Sequence, residues 1–324
     1  MTTLITGGLG FIGLHTARAL LDLGEDLVLT QYRVSREPDF IKDELGKRAK
    51  VEQLDVTDKD RLMEIGRTHK IDRILHLAVP GLGALTPLED FTVNMQGLIN
   101  ILEAGREWEV ARIGLGSSLA VYQNARGEEG VNKEDQRLAM TGGGPTGTWK
   151  KSFEIIGAYY GDRTGLDIVN LRIAGIYGPL YHSMSNLPSR LVHAAVKGEP
   201  PVLRGDTYAE DGTDMTYVKD CGKGLALLMK ADKLNHKTYN VATGRASTPG
   251  ELVSAIQSVI PNFDGSFLKE GATPGSPGPT YSDVARIKAD TGYEPSWPDS
   301  FHVSRKMSNL RATSSSVSRF WATW

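Results

Sequence analysis

The run Thr6-Gly7-Gly8-Leu9-Gly10-Phe11-Ile12-Gly13 constrains this chain more than any other feature of it. It follows Thr3-Leu4-Ile5-Thr6, a short strand at the chain start, and opens the amphipathic stretch Phe11 to Leu23. A strand that turns through glycines directly into a helix aims backbone N–H groups and the positive end of the helix dipole at one point, where a pyrophosphate can be held. Gly7 permits the tight turn, Gly10 lets the backbone approach the phosphates, and Gly13 lets helix and strand pack closely. The expectation is a Rossmann-type domain holding NAD or NADP, with Gly7, Gly10, Phe11, Ile12 and Gly13 at the cofactor.

The rest of the first half agrees with that fold. Leu27 to Leu29, Val51 to Leu54, Ile71 to Ala78, Ile113 to Ser117 and Ile168 to Leu171 read as strands, separated by helix-like stretches Asp58 to Thr68, Asn94 to Glu107 and Trp149 to Arg163. Ile12, Thr16, Ala19, Leu20 and Leu23 fall on one face of the first helix. Such alternation predicts an α/β, doubly wound parallel sheet. After about residue 175 Pro and Gly become frequent, and Tyr239-Asn240-Val241 reads as a late strand returning to the main sheet. The expected organisation is a dinucleotide-binding domain over 1–175 with a return strand near 237–243, and a smaller C-terminal substrate-binding lobe mainly over 176–302. The Ser- and Arg-rich tail 303–324 is expected to be poorly ordered.

Charge and cysteine content exclude several classes. Lys plus Arg is 37 against 39 Asp plus Glu, a formal net charge of −2, so no nucleic-acid or membrane-surface partner is expected. Cys221 is the single cysteine, which rules out an intrachain disulfide and fits a reducing compartment. The seven histidines are scattered, and no metal-ligand spacing is present. There is no basic start followed by an apolar leader, and no apolar run near the ~20 residues of a membrane span, so a cytoplasmic location is expected.

An acidic residue about 20 residues beyond the glycine loop would bind the adenosine ribose. Gln31 stands there, followed by Arg33 and Arg36. A guanidinium would bind a 2′-phosphate that a carboxylate repels, so NADP is favoured over NAD.

Several further motifs, in order along residues 1 to about 300, resemble those of the extended short-chain dehydrogenase/reductase superfamily, specifically its NAD-dependent epimerase/dehydratase family. Asp55-Val56-Thr57-Asp58 resembles the adenine-contacting motif. His76-Leu77-Ala78-Val79 resembles the strand end lying along the cofactor, and Asn94 before Gly97 matches the central-helix asparagine. Ser117-Ser118-Leu119-Ala120-Val121-Tyr122 resembles the segment bearing the catalytic Ser, with Ser118 at the matching position. Leu171-Arg172 with Tyr177-Gly178-Pro179, Asp214 with Tyr217-Val218 and Asp220, and Tyr281-Ser282-Asp283 resemble later motifs. The resemblance implies cofactor contacts from Asp55, Val56, Leu77, Ala78, Val79, Asn94 and Lys150. It also implies a homodimer in which the helix carrying Trp149, Tyr159 and Tyr160 packs against its copy.

In this family a Tyr four residues before a Lys moves the substrate proton, the Lys binds the nicotinamide ribose and lowers the Tyr pKa, and a Ser steadies the substrate oxygen. Here Lys150 and Glu154 fit the Lys and Glu positions, but Thr146 stands where the Tyr belongs. Ser118, Thr146 and Lys150 are therefore the candidate catalytic set. A Thr hydroxyl is a poor proton carrier at neutral pH. Either another group takes over (Lys150, Tyr122, Tyr177 or a water chain), or the chemistry needs no proton transfer there, or the chain is an engineered variant or a non-catalytic relative that binds cofactor. Thr213 and Gly175 replace an Arg and an Asn that serve nucleotide-sugar enzymes, which points to a smaller hydroxy or keto substrate unless Arg190 or Arg204 binds an anion. The leading expectation is an NAD(P)-dependent oxidoreductase acting on a small substrate such as a sugar derivative. The alternatives are an epimerase or dehydratase that recycles hydride internally, and a cofactor-binding protein without turnover.

Overall fold

The computed structural model describes residues 1–32, 36, 38–79, 85–125, 127–141, 144–181 and 183–296. Arg33 and the tail 303–324 lie outside the described residues. The strands are β1 (Thr2–Thr6), β2 (Asp26–Gln31), β3 (Ala49–Gln53), β4 (Arg73–His76), β5 (Arg112–Ser118), β6 (Val131–Asn132), β7 (Ile168–Ile173), β8 (Gly175–Tyr177), β9 (Thr207–Tyr208), β10 (Met215–Tyr217), β11 (Thr238–Val241), β12 (Leu268–Lys269) and β13 (Tyr281–Ser282). The α-helices are α1 (Phe11–Asp22), α2 (Asp39–Lys42), α3 (Lys59–Thr68), α4 (Pro87–Glu107), α5 (Pro145–Thr164), α6 (Leu187–Lys197), α7 (Val218–Lys230), α8 (Pro249–Val259) and α9 (Ala285–Thr291).

Seven strands form one parallel sheet in the order β11-β7-β5-β4-β1-β2-β3. The chain winds outward from β1 to β3, then crosses back to place β4 on the other side of β1. Sheets of this kind bind ligands at the carboxyl ends of the strands beside that reversal. The α/β Rossmann-type fold expected from the sequence is the one observed.

The alternation of side chains along each strand builds two separate cores. Ile5, Leu27, Leu29, Leu75, Val169 and Leu171 face one side, with α1 and α7. Leu4, Val28, Ile74, Ile113, Leu115 and Ile168 face the other, with α3, α4 and Phe153 of α5. Strands buried on both faces need apolar residues at successive positions.

Three helices differ from the sequence expectation. Helix α1 buries Gly13, Leu14, His15, Thr16, Ala17, Leu20 and Leu21, whereas Ile12, Ala19 and Leu23 are only partly covered. The single predicted stripe is too narrow because α1 is sandwiched between the sheet and α7. At Gly222 of α7 an added Cβ would come within 2.7 Å of the His15 backbone, so the two helices approach almost backbone to backbone. Helix α4 starts at Pro87, not Asn94, because Thr86 caps it: its side chain accepts from the Glu89 N–H, and Glu89 reaches back to the Thr86 N–H. Helix α5 starts at Pro145, not Trp149, so Thr146 and Lys150 share one continuous helix.

Strand β11 joins the main sheet beside β7, and Leu225, Leu228, Tyr239, Ile287 and Tyr293 from α7 to the region after α9 complete the first core. The third core packs Leu191, Ala194 and Ala195 of α6 with Leu252, Val253 and Ile256 of α8, beside the tilted pair Tyr177 and Tyr217. It is flanked by the short parallel pairs β8–β10 and β9–β12. Among the described residues no helix is long and apolar enough to cross a membrane.

Candidate active site

The glycine loop lies at the carboxyl end of β1. Gly7 adopts φ +68°, and a Cβ there would come within 3.3 Å of the Ala78 backbone, so the turn sits directly under the chain leaving β4. A Cβ on Gly13 would fall 2.4 Å from the Gly7 carbonyl oxygen and 2.8 Å from Gly8 Cα. Helix α1 has no side-chain cap at Gly10 and no acidic residue in its first turn. First-turn amides have no intrahelical acceptor, and here they open toward the loop. These features fit a dinucleotide pyrophosphate. Phe11 packs edge-on against Tyr181, their rings 5.0 Å apart, which links the loop to the chain that follows β8.

The other expected cofactor residues surround this loop. Gln31 ends β2 half-buried, with its Oε1 buried and without a hydrogen-bond partner among the described residues. That lone acceptor fits a ribose hydroxyl. Asp55 closes a local turn by accepting from the Thr57 N–H and hydroxyl at 2.9 and 2.8 Å. Val56 packs beneath Gly97, where a Cβ would meet its Cγ2 at 2.9 Å. Asn100, which the sequence reading missed, donates to the Val56 and Thr57 carbonyls at 3.0 Å and pins this turn to α4. Asn94 donates to the Asp90 backbone and side chain, and Asp90 accepts from Trp149 Nε1 at 2.6 Å, so α4 and α5 are tied together at the site. Leu77, Ala78 and Val79 continue from β4, partly buried, and the Ala78 N–H donates to Thr6 Oγ1. Thr6 Oγ1 also lies 2.7 Å from His76 Nδ1. Burial, then the Lys150 charge, hold the His76 pKa down at about 3, so the ring is neutral.

The two serines ending β5 are used differently. Ser117 donates to Glu154 Oε1 at 2.5 Å. Ser118 Oγ accepts from the Ala120 N–H at 3.1 Å, which leaves its own hydroxyl proton available to donate. Glu154 is committed further, to a buried ion pair with Arg172 at 2.7 Å. Arg172 Nη1 donates to the Tyr122 hydroxyl at 2.8 Å, and that hydroxyl donates to Asn240 Oδ1 at 2.8 Å. Tyr122 is thus a structural linchpin between β5, β7 and β11. Burial pushes its phenol up to about 12, which removes it as a proton carrier near neutral pH. Tyr177, the other candidate phenol, is buried in the third core.

Thr146 is half-buried in the first turn of α5. Lys150, one turn on, is buried, and its Nζ lies 4.9 Å from the centre of the Phe153 ring. Burial lowers its pKa to about 7. Thr146, Lys150 and Glu154 recur at helical spacing on the side of α5 that faces the end of β5.

Thr213 is exposed and bridges through its backbone to Ser247. A side chain at Gly175 would meet Met215 Sδ at 2.7 Å, because β8 and β10 pair closely there. Asp214 is a buried clamp accepting from Thr243, Gly244 and Ser282. Arg190 in α6 has a buried Nε without a partner among the described residues, while its Nη1 reaches the Ser185 carbonyl at 3.2 Å. Burial and the neighbouring Arg204 charge both lower its pKa. Neither arginine forms an ion pair among the described residues.

The strand order and the glycine-built entry to α1 together define the class: a dinucleotide-binding fold of the extended short-chain dehydrogenase/reductase type. Comparison with known proteins narrows it, and the chain belongs to the NAD dependent epimerase/dehydratase family, whose model matches residues 3–242. It is similar to the uncharacterized UDP-glucose epimerase YtcB of Bacillus subtilis (strain 168), with 26% identity over 303 residues, covering 91% of this chain and 93% of that one. UDP-glucose 4-epimerase of Mus musculus is 28% identical over 290 residues, 78% of this chain and 81% of that one. Among solved structures, UDP-N-acetylglucosamine 4-epimerase from Methanobrevibacter ruminantium M1 matches 96% of each chain with a TM-score of 0.76 and 25% identity. UDP-glucose 4-epimerase of Thermotoga maritima shares the fold at a TM-score of 0.77 and 22% identity, over 98% of this chain and 99% of that one.

Proposed function

We infer that the protein is an NAD-dependent epimerase or dehydratase that acts on a sugar bearing a phosphate group and returns hydride to the substrate before product leaves. Membership of the family favours this reading over the net oxidoreductase expected first from the sequence. The mouse relative is a UDP-glucose 4-epimerase, which suggests a nucleoside-diphosphate sugar. The observation that supports an anionic substrate is Arg190, whose buried Nε has no acceptor among the described residues, with Arg204 near it and likewise without a carboxylate partner among them. This pair supplies a phosphate anchor although Thr213 does not.

NAD is the cofactor of the reading. The earlier preference for NADP rested on Arg33 and Arg36, of which only Arg36 lies among the described residues. Gly7, Gly10 and Gly13 with the first turn of α1 would hold its pyrophosphate, Gln31 its adenosine ribose, and Asp55 to Thr57 would flank the adenine. Bound NAD supplies the hydride acceptor and donor. Ser118 would orient the reacting hydroxyl by a hydrogen bond.

The dimer expected from the resemblance remains a proposal. Leu88, Phe91 and Ile99 of α4 and Ile155 and Tyr159 of α5 are exposed apolar residues suited to cover a second copy, and sedimentation would report the mass.

The test incubates purified protein with NAD and UDP-glucose, follows absorbance of the reduced nicotinamide, and separates nucleotide sugars by chromatography. A new nucleotide sugar without net reduced cofactor is expected. Stoichiometric accumulation of NADH would restore the net oxidoreductase. Tight NAD binding with no turnover of any nucleotide sugar would favour the non-catalytic reading that Thr146 suggests.

A further inference from the structure

The family resemblance expects a phenol at position 146, and a chain that oxidises and re-reduces a hydroxyl still needs a group to hold its proton. Each ionisable neighbour of the site can be examined for that task. Tyr122 is locked between Arg172 and Asn240. Glu154 is held by Arg172 and Ser117. His76 on β4 is buried against Thr6 and stays neutral. Asp90 on α4 accepts from Trp149 and Asn94. Lys151 donates to the Ala139 and Thr141 carbonyls, pointing away along the 139–141 segment. Thr146 offers only an aliphatic hydroxyl.

Lys150 differs from all of these. It is 6% exposed, and it has neither a hydrogen bond nor an ion pair among the described residues. Its Nζ lies 4.9 Å from the centre of the Phe153 ring, and its charge acts on His76 at the carboxyl end of β4. In the cofactor-free chain a buried ammonium without an acceptor or counter-ion is costly, and such groups cluster at functional sites; the ribose contact that the resemblance implies would occupy part of its hydrogen-bonding capacity when NAD is bound. Its helical spacing puts it between Thr146 and Glu154, and Glu154 is anchored to the serine adjoining Ser118. Thr146 precedes the amine by one turn of α5, at the position where the resemblance expects the phenol, so Lys150 is the ionisable group next to that position on the helix.

We propose that Lys150 itself is the acid–base group, accepting the substrate hydroxyl proton during oxidation and returning it during re-reduction. In the forward step the substrate O–H and C–H bonds break and C=O forms. The proton would go to the Lys150 amine, and bound NAD would supply the acceptor for the hydride that carries the electron pair. The reverse step restores both to the sugar carbon and oxygen. The proposal rests on the internal-recycling function inferred above. Burial tunes the amine to about pH 7, where a proton carrier can both take and give at neutral pH.

Three measurements test it. Lysine carrying ¹³C at Cε is incorporated, and the Lys150 resonance, identified by its loss in Lys150→Arg, is titrated in protein with NAD bound and with NAD removed. A midpoint within about a unit of pH 7 without cofactor is expected, against values above about 10 for exposed lysines. An ordinary midpoint overturns the proposal whether or not any sugar turns over. Second, Lys150→Ala is assayed at saturating NAD with added alkylamines of differing basicity. Turnover should fall ~100-fold or more and be partly restored, with the rescued rate depending on the amine's pKa. A lysine that only positioned the cofactor would show a lowered NAD affinity and no such dependence, which would overturn the proposal. Tyr122→Phe should leave the break in the pH–rate profile where it is. If the resonance titrates near pH 7 but wild-type protein converts no nucleotide sugar, the functional reading fails and takes this step with it.

Discussion

Replacing Lys150 by Met should make the folded protein more stable while abolishing turnover. The Lys150 pKa drops from 10.5 to about 7 because burial strips water from the ammonium. At about 1.36 kcal/mol per unit, that shift corresponds to a cost of about 5 kcal/mol for holding the charge inside. Below pH 7 the amine is protonated in both the folded and the unfolded chain, and the whole cost is present. Between about pH 7 and 10.5 the unfolded chain binds the proton and the folded chain does not, so stability rises with pH; above that window the cost is gone. Met has a similar stem and no charge. Lys150→Met should therefore gain between about 2 and 5 kcal/mol at pH 6, with relaxation and water entry setting the lower figure, and about 2 kcal/mol or less at pH 9. Urea unfolding of cofactor-free wild type and variant at both pH values measures this, and removing NAD keeps ligand linkage out of the comparison. A variant no more stable than wild type at pH 6, or a gain that does not shrink by pH 9, would refute the claim that Lys150 is a desolvated amine.

Three other substitutions probe separate parts of the site. Gly13→Val places a Cβ 2.4 Å from the Gly7 carbonyl oxygen and should remove NAD binding by calorimetry at millimolar cofactor while leaving far-ultraviolet circular dichroism unchanged. Arg172→Met strands Glu154 as a buried unpaired carboxylate and leaves Tyr122 without a donor; a loss of about 3–5 kcal/mol in urea unfolding is expected, and a loss under 1 kcal/mol would show that the pair is not a buried one. Arg190→Met should raise KM for a nucleoside-diphosphate sugar about 10- to 100-fold, the value of one or two charged hydrogen bonds, with NAD affinity unchanged. An unchanged KM would remove Arg190 from the substrate site.

What was legible in the sequence was local or periodic. Successive apolar residues in Leu4-Ile5 and Leu27-Val28-Leu29 announce strands covered on both faces, and the glycine loop announces the turn that β1 makes into α1. Thr86-Pro87-Leu88-Glu89 also carries a readable capping box, overlooked because Leu88 and Phe91 lie exposed and blur the helical stripe. The Gly- and Thr-rich start of α5 reads as a loop on propensity alone, yet Pro145 at its first position and packing of Gly147 under the Ala120 carbonyl carry the helix back to include Thr146. The site itself was readable as a list of residues and not as chemistry. Ser117 and Ser118 look equivalent until Glu154, 37 residues away from Ser117, claims one of them. Tyr122 looks like a spare phenol until Asn240, 118 residues on, accepts a hydrogen bond from it. Lys150 and Lys151 are adjacent in sequence and both buried, yet Lys151 is satisfied by carbonyls while Lys150 has no hydrogen bond or ion pair among the described residues. The missing tyrosine at 146 is a fact of sequence; that Lys150 is the one nearby ionisable group left uncommitted among the described residues is a fact of long-range packing. Residue spacing therefore identifies where such a site can act, whereas tertiary contacts decide which of its groups is still able to move a proton.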